Sequence, residues 1–450
     1  MTTDVRLDAP APEPDVPPAY RRRVGRDALT TFAFRAGGMP FAFAISIVTS
    51  RYLLPTGRGA FVLALLTVTL ASTVLGNVGV AATYELSRKE HEERSVVGQA
   101  LVVTVLLGLV GAAVLFPVDY ALADQGFRKV ALVAFGLPAV LIVQTLSASL
   151  IALGRLLLAN VLQFLLPLAT VLAMVVFVVW SGRGTTGAVF AWVVAQYVVA
   201  LVALVGSRGI WQPLSLRALP RSRVGAMFVL GLRLGVVNLI SLLNYRVELI
   251  VLELSHGLAA VGIYSLATSL AELLWVVSSA LATATVAPVV SFDDDRAAAE
   301  VVARAVRGSL IGTAALGICL GIAGKFLISP VFGVYFESSV TPLLILIPAT
   351  VAFAPGSIIS VYFSMRQGKT RYPLLISVIS LSVTTIAAII LIPGHFVSGA
   401  AEACAAGYVV GMAGGLYWFA HESGIGVGSL VPRPADGRAL FAAVRGLARR

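Results

Sequence analysis

Blocks of twenty or more apolar residues, each closed by a short polar break, recur along nearly the whole chain. As helix, that length crosses the roughly 30 Å of hydrocarbon in a bilayer. Composition points the same way: 58% of residues are hydrophobic and 12% are charged, with a mean hydropathy of +0.93. A water-soluble domain carries roughly 25% charged residues. Membrane β-barrel strands would alternate polar and apolar positions over about ten residues, and no such alternation runs through the chain. The sequence therefore predicts an all-α polytopic membrane protein. Twelve spans are expected, near 29–50, 57–83, 96–117, 130–153, 156–180, 186–206, 227–254, 258–288, 304–328, 340–363, 373–393 and 399–420.

Residues 1–28 are proline-rich and charged, too polar to bury a core, and read as a disordered cytoplasmic tail. Their basic cluster comes late and no small-residue cleavage site follows a short apolar region, so the first span is expected to be retained. The rest divides into a six-helix bundle over 29–206, a cytoplasmic linker over 207–226, a second six-helix bundle over 227–420 and a basic cytoplasmic tail over 421–450.

The net charge of +11 raises the question of nucleic acid. Its placement answers that question. With the N-terminus inside, 24 of the 33 Lys and Arg fall on the cytoplasmic side, 5 on the other, and 4 within or at the edges of spans. Such a split follows the positive-inside rule and puts both termini in the cytoplasm. The basic balance is thus topology and contact with anionic membrane lipids, and no nucleic acid is expected as a partner. Cys319 and Cys404 both fall in predicted spans and read as small packing residues.

An internal repeat is visible. Gly59-Ala60-Phe61-Val62-Leu63-Ala64 and Gly262-Ile263-Tyr264-Ser265-Leu266-Ala267 share the pattern G-x-[aromatic]-x-L-A, 203 residues apart. Gly154-Arg155 and Gly368-Lys369 place a glycine and a cation after spans 4 and 10, 214 residues apart. Each half holds an even number of spans, so the repeats run parallel about an axis along the membrane normal. The stretch Arg51-Tyr52-Leu53-Leu54-Pro55-Thr56-Gly57-Arg58-Gly59-Ala60-Phe61 resembles the loop entering the second span of polysaccharide flippases. Tyr245-Arg246-Val247-Glu248, the run Val261 to Ala267, and Pro288 resemble them too. These flippases belong to the multidrug/oligosaccharidyl-lipid/polysaccharide (MATE-like) exporter superfamily. The resemblance implies a V-shaped pair of six-helix bundles that moves a lipid-linked saccharide between leaflets by alternating access.

Charges inside spans mark candidate sites, because an ionised group near the bilayer centre is costly unless paired or wet. Asn238, Ser241, Tyr245 and Glu248 recur at helical spacing in span 7, a polar stripe that suits a cavity or a helix partner. Arg246 and Glu248 lie toward the outer mouth, and Glu253 at the interface. In span 8, Thr268, Ser269, Glu272, Ser279 and Thr283 share about 100° of arc with Ser265. Glu272 sits about fourteen residues from either end, too deep to snorkel, and is the candidate ion-coupling residue; the alternative is a protonated carboxyl bonded between helices. Arg35 in span 1 and Arg233 at the matching depth of span 7 are candidate pyrophosphate receptors, since a guanidinium makes bidentate bonds to phosphate oxygens. Snorkelling to lipid phosphates would also account for them.

Three motifs read as structural. Asp293-Asp294-Asp295 precedes a helix and suits its N-terminus. His91, His256, His395 and His421 lack ligand spacing, and Gly324-Lys325 lacks the rest of a nucleotide-phosphate loop. No cofactor or metal is expected. The leading expectation is a secondary transporter, not an enzyme, that flips polyprenyl-pyrophosphate-linked saccharide across the cytoplasmic membrane. A coupling proton or sodium ion and polysaccharide-assembly enzymes are its expected partners. A cation-coupled drug or metabolite exporter of the same superfamily is the alternative. A membrane polysaccharide polymerase or ligase is disfavoured because every outer loop is short.

Overall fold

The computed structural model describes residues 18–88, 93–212, 221–292, 294–433 and 436. His91, Asp293, the middle of the predicted linker and most of both predicted tails lie outside them. Among the described residues every regular element is helical. The chain runs through α1 (Pro18–Arg88), α2 (Glu93–Leu122), a 3-10 segment (Arg128–Gly136) leading into α3 (Leu137–Ala152), α4 (Leu156–Met174) with a π turn to Trp180, and α5 (Gly184–Gly206). It continues through α6 (Arg221–Leu243), α7 (Val247–Ala271), α8 (Trp275–Ser291), α9 (Asp295–Phe332), α10 (Val340–Phe353), α11 (Gly356–Val361) and α12 (Arg371–Ser423). Ten helical segments in the described residues are long and apolar enough to cross a membrane.

Three of these helices are folded back on themselves at a single residue. Leu54 interrupts α1 with φ 59, ψ 175. Gly257 interrupts α7 with φ 74, ψ −175, and Phe396 interrupts α12 with φ 56, ψ −133. Leu54 precedes Pro55, whose ring disfavours helical geometry in the residue before it. Gly257 takes a positive φ without strain. A further break at 244–246 separates α6 from α7, with Tyr245 N–H donating to Leu242 O at 3.0 Å and Arg246 N–H to Leu243 O at 3.0 Å.

Several boundaries differ from the sequence expectation: α6 begins at Arg221 inside the expected linker, and α9 runs from Asp295 to Phe332, beyond the expected 304–328. α1 begins at Pro18, inside the segment read as a disordered tail to residue 28. Proline is suited to the first turn of a helix, where no N–H donor is required, so a proline that suggested disorder instead starts the element.

The buried apolar residues separate along the chain. One core is built from residues between Leu249 and Leu430, with Leu66 as its contribution from the first part of the sequence. Two smaller cores lie between Leu53 and Met227. Met227 of α6 joins one of these smaller cores. Gly235 of α6 lies so close to α1 that a Cβ there would stand 2.6 Å from Val74 O. α6 is therefore seated on the first part of the chain, and α7, whose buried side chains join the core of the second part, also packs along α1.

Candidate functional site

A cavity with polar walls lies between α6, the α10–α11 region and the start of α12, and has a volume of about 350 Å³. α6 contributes Asn238 and Ser241, and Tyr245 follows at the break. Ser357, Ser360 and Ser364 come from one helical face at intervals of three and four residues, and Thr370 and Ser377 complete the hydroxyls. Among the described residues its lining holds no carboxylate and no cation. Three of the predicted residues are thus brought together, but not by the partners expected. The polar face of span 8 supplies no wall, and the other walls here are 353–364 and 370–377. The span 8 hydroxyls turn inward on their own helix: Ser269 Oγ donates to Ser265 O at 2.7 Å and Thr283 Oγ1 to Ser279 O at 2.8 Å. Hydroxyls in apolar helices commonly satisfy themselves this way.

Tyr245 closes one end of the cavity and stacks into an aromatic cluster. Its ring centroid lies 5.1 Å from Trp275, 6.0 Å from Phe353 and 6.1 Å from Tyr408. Edge-to-face contacts of this kind fix ring orientation as well as burying area. The phenol is thereby held at the boundary between cavity and core.

Beside this cluster is a charged group of three residues. Arg246 Nη1 donates to Glu272 Oε1 at 2.6 Å, with the side chains 29% and 31% exposed. The fold at Gly257 makes this possible, because it turns α7 back so that residues at similar distances on either side face each other. Arg246 lies 11 residues before the fold and Glu272 15 after it. Glu248 is buried at 1% exposure; Tyr264 Oη donates toward its Oε1 at 3.5 Å, and Oε2 has no hydrogen-bond partner among the described residues. Asn244, also fully buried, has neither side-chain polar atom bonded. Glu272 is therefore the half-buried partner of an arginine, and Glu248 the deeper carboxyl. The sequence carried a signal for the pair in the comparable distances of Arg246 and Glu272 from Gly257, a signal that depth alone did not exploit.

Arg35 and Arg233 are both exposed, line neither this cavity nor the ion pair, and have no bonded partner among the described residues. The face of α1 that carries Thr31 and Gly38, near Arg35, is occupied by α4. Asn160 Nδ2 donates to Thr31 Oγ1 at 3.0 Å, and a Cβ on Gly38 would meet Pro167 at 3.7 Å. Asp294 caps α9, accepting from the Arg296 and Ala297 N–H groups, and Asp295 pairs with Arg366 at 2.6 Å.

With this geometry in view, the likeness to known proteins is informative. Solved structures share the fold at low identity. A MOP superfamily transporter from Pyrococcus furiosus, described as having a binding pocket of reverse polarity, matches with a TM-score of 0.62 and 17% identity over 89% of this chain and 95% of its own. A multidrug resistance MATE family transporter of the MOP superfamily matches in its inward-facing conformation with a TM-score of 0.62 and 15% identity, covering 88% of this chain and 98% of its own. The outward-facing conformation matches at 0.60 with 16% identity, covering 89% and 95%. No curated protein sequence matches. The family described as polysaccharide biosynthesis protein matches residues 24–292, more than half of the chain. A helical membrane protein with this fold and this match belongs to the polysaccharide biosynthesis protein family.

Proposed function

We propose that the protein is a secondary transporter that flips a polyprenyl-pyrophosphate-linked saccharide across the cytoplasmic membrane by alternating access, for surface polysaccharide assembly. The observation that carries this is the cavity. A pocket of about 350 Å³ falls within the size range of small-ligand sites. Its amide and hydroxyl lining, among apolar helices, offers the neutral donors and acceptors that a sugar ring requires. A cationic drug would find no carboxylate in that lining, so the saccharide reading is favoured over the drug exporter.

The topology belongs to the same proposal. Dividing α1 at Leu54, α7 at Gly257 and α12 at Phe396, and joining α6 to the first part of α7, gives twelve spans in two six-helix halves. The distribution of Lys and Arg puts both termini in the cytoplasm. The Leu54 and Gly257 folds then face outward, and the Thr370 end of the cavity faces inward. Arg35 and Arg233 receive the pyrophosphate, Asn238, Ser241 and Tyr245 contact sugar, and the Arg246–Glu272 pair with Glu248 nearby couples a proton or sodium ion to the return step.

Complementation of a flippase-deficient strain tests the assignment. Ser360→Leu, which fills the cavity, Glu272→Gln and Arg35→Ala are each expected to abolish or strongly reduce surface polysaccharide at normal protein levels. Normal polysaccharide from all three would overturn it.

A further inference from the structure

The stretch 51–59, which carries the repeat motif and the family resemblance, has no part in the cavity. Its backbone fold at Leu54 has a counterpart at Gly257, 203 residues on, the same offset that separates Gly59 from Gly262. The two folds meet. A Cβ on Gly59 would lie 1.9 Å from Leu258 O, and a Cβ on Gly262 would lie 1.9 Å from Pro55 O. Each glycine thus admits the main chain of the other half, at a distance no other residue allows.

Arg58 adjoins this contact and is 3% exposed. Its Nε donates to Ser265 Oγ at 3.0 Å, and its Nη1 donates to Ser46 O at 3.0 Å, Thr49 Oγ1 at 2.8 Å and Ser50 Oγ at 2.9 Å. The Phe336 ring lies 6.0 Å from the guanidinium carbon. None of these partners is a carboxylate. At the rim, Arg51 Nε donates to Val331 O at 2.7 Å and its Nη2 to Pro330 O, carbonyls near the C-terminus of α9.

We propose that 51–59 and 257–265 form a reversible latch between the two halves on the outer face, shut in this structure, and that Arg58 sets how readily it opens. The proposal rests on the transporter reading above. Close backbone packing favours the shut state. A buried guanidinium without a counter-charge disfavours it, because the cation regains hydration when the contact parts. Three of its four acceptors, Ser46, Thr49 and Ser50, belong to its own half and move with it. Only Ser265 is lost on opening. The opposed terms keep shut and open states close in free energy, which a gate that cycles requires and a permanent interface does not.

The test uses the full-length protein with Cys319→Ser and Cys404→Ala, and Leu66→Cys as reporter. Leu66 stands two helical turns beyond Gly59 and is 6% exposed in a core otherwise built by the second half. A membrane-impermeant maleimide is applied outside intact cells. Gly59→Ala, or Gly262→Ala on the opposite side of the contact, props the latch and is expected to raise the labelling rate about fivefold or more. Arg58→Met removes the buried charge at similar length and is expected to lower the rate by a similar factor. Gly414→Ala, whose Cβ would meet only Trp418 at 3.6 Å, leaves it unchanged. General loss of structure cannot drive neighbouring substitutions in opposite directions. Shifts in the same direction, or no shift, would overturn the latch. The readout needs no saccharide, so opposed labelling without polysaccharide complementation would overturn the substrate reading and leave the latch standing.

Discussion

The Arg246–Glu272 pair has a short bond and about 30% exposure on both sides. Removing one partner of a buried pair strands the other and costs about 3–5 kcal/mol, so partial exposure here brings the expectation down to about 1–3 kcal/mol. Glu272→Gln alone and Arg246→Met alone should each lower the thermal stability of the purified protein. The double variant should recover most of that loss, because no charge is left unpaired. If the pair couples an ion as proposed, transport should not recover; a double variant that transports normally would make the pair purely structural. A second residue-scale expectation concerns Asp436. The Arg307 Nε–H bond, and then the Arg433 backbone N–H, hold its carboxyl below the usual aspartate range. A depressed folded value means the contact stabilises above the ordinary value of about 3.9 and is lost as pH falls through the lower folded one. Hydrogen exchange over 427–436 should therefore accelerate only below about pH 4, and Arg307→Ala should remove that dependence.

At the scale of elements, the helices were legible because an apolar run of membrane length has few other folded forms. Their folding points were legible in part. The gaps expected between spans at 51–56, 255–257 and 394–398 contain Leu54, Gly257 and Phe396, with Pro55, Gly257 itself and Pro393-Gly394 as local markers, but which residue of the first and last gap leaves the helical region was not marked. The two sequence echoes do coincide with shared geometry, since Leu54 and Gly257 precede the matched motifs by five residues and Gly154 and Gly368 have φ of 70 and 62. Three of the eight polar lining residues were legible as the stripe Asn238, Ser241, Tyr245. The remainder was not, because Ser357, Ser360, Ser364, Thr370 and Ser377 belong to elements that only tertiary packing brings to that stripe. The seat of α6 on α1 was likewise invisible, being a match of two surfaces far apart in sequence. It yields an expectation: Gly235→Val forces atoms onto Val74 and should destabilise by about 1–3 kcal/mol. Gly225→Val, with nothing within 4 Å of its Cβ, should be tolerated. Folded yield by fluorescence-detected size exclusion distinguishes the two.

For the whole molecule, the buried side chains group into cores drawn mainly from one half each, with Leu66 and Met227 crossing between them, an arrangement that suits each half moving as a packed body. Such a body cannot yield separately at its two ends. If the outer latch and the inner opening of the cavity belong to one rocking motion, a change at Gly59 must be felt at the Thr370 end, on the far side of the membrane. Ser364 lines the cavity near that end and is partly exposed, so Ser364→Cys in the cysteine-free background reports inner access. Propping the latch with Gly59→Ala should lower its labelling from the cytoplasmic side, in inside-out vesicles, about as much as it raises outer labelling at position 66. Arg58→Met should leave inner labelling high. A ligand or substitution shifts a two-state equilibrium only by its difference in free energy between the states, so the inner and outer factors should be reciprocal. Outer labelling that rises while inner labelling stays constant would mean that the latch opens by local fraying. The two halves would then not be rigid partners in one transport motion, and alternating access would need a different moving element, for which the break at 244–246 between α6 and α7 is the structural alternative.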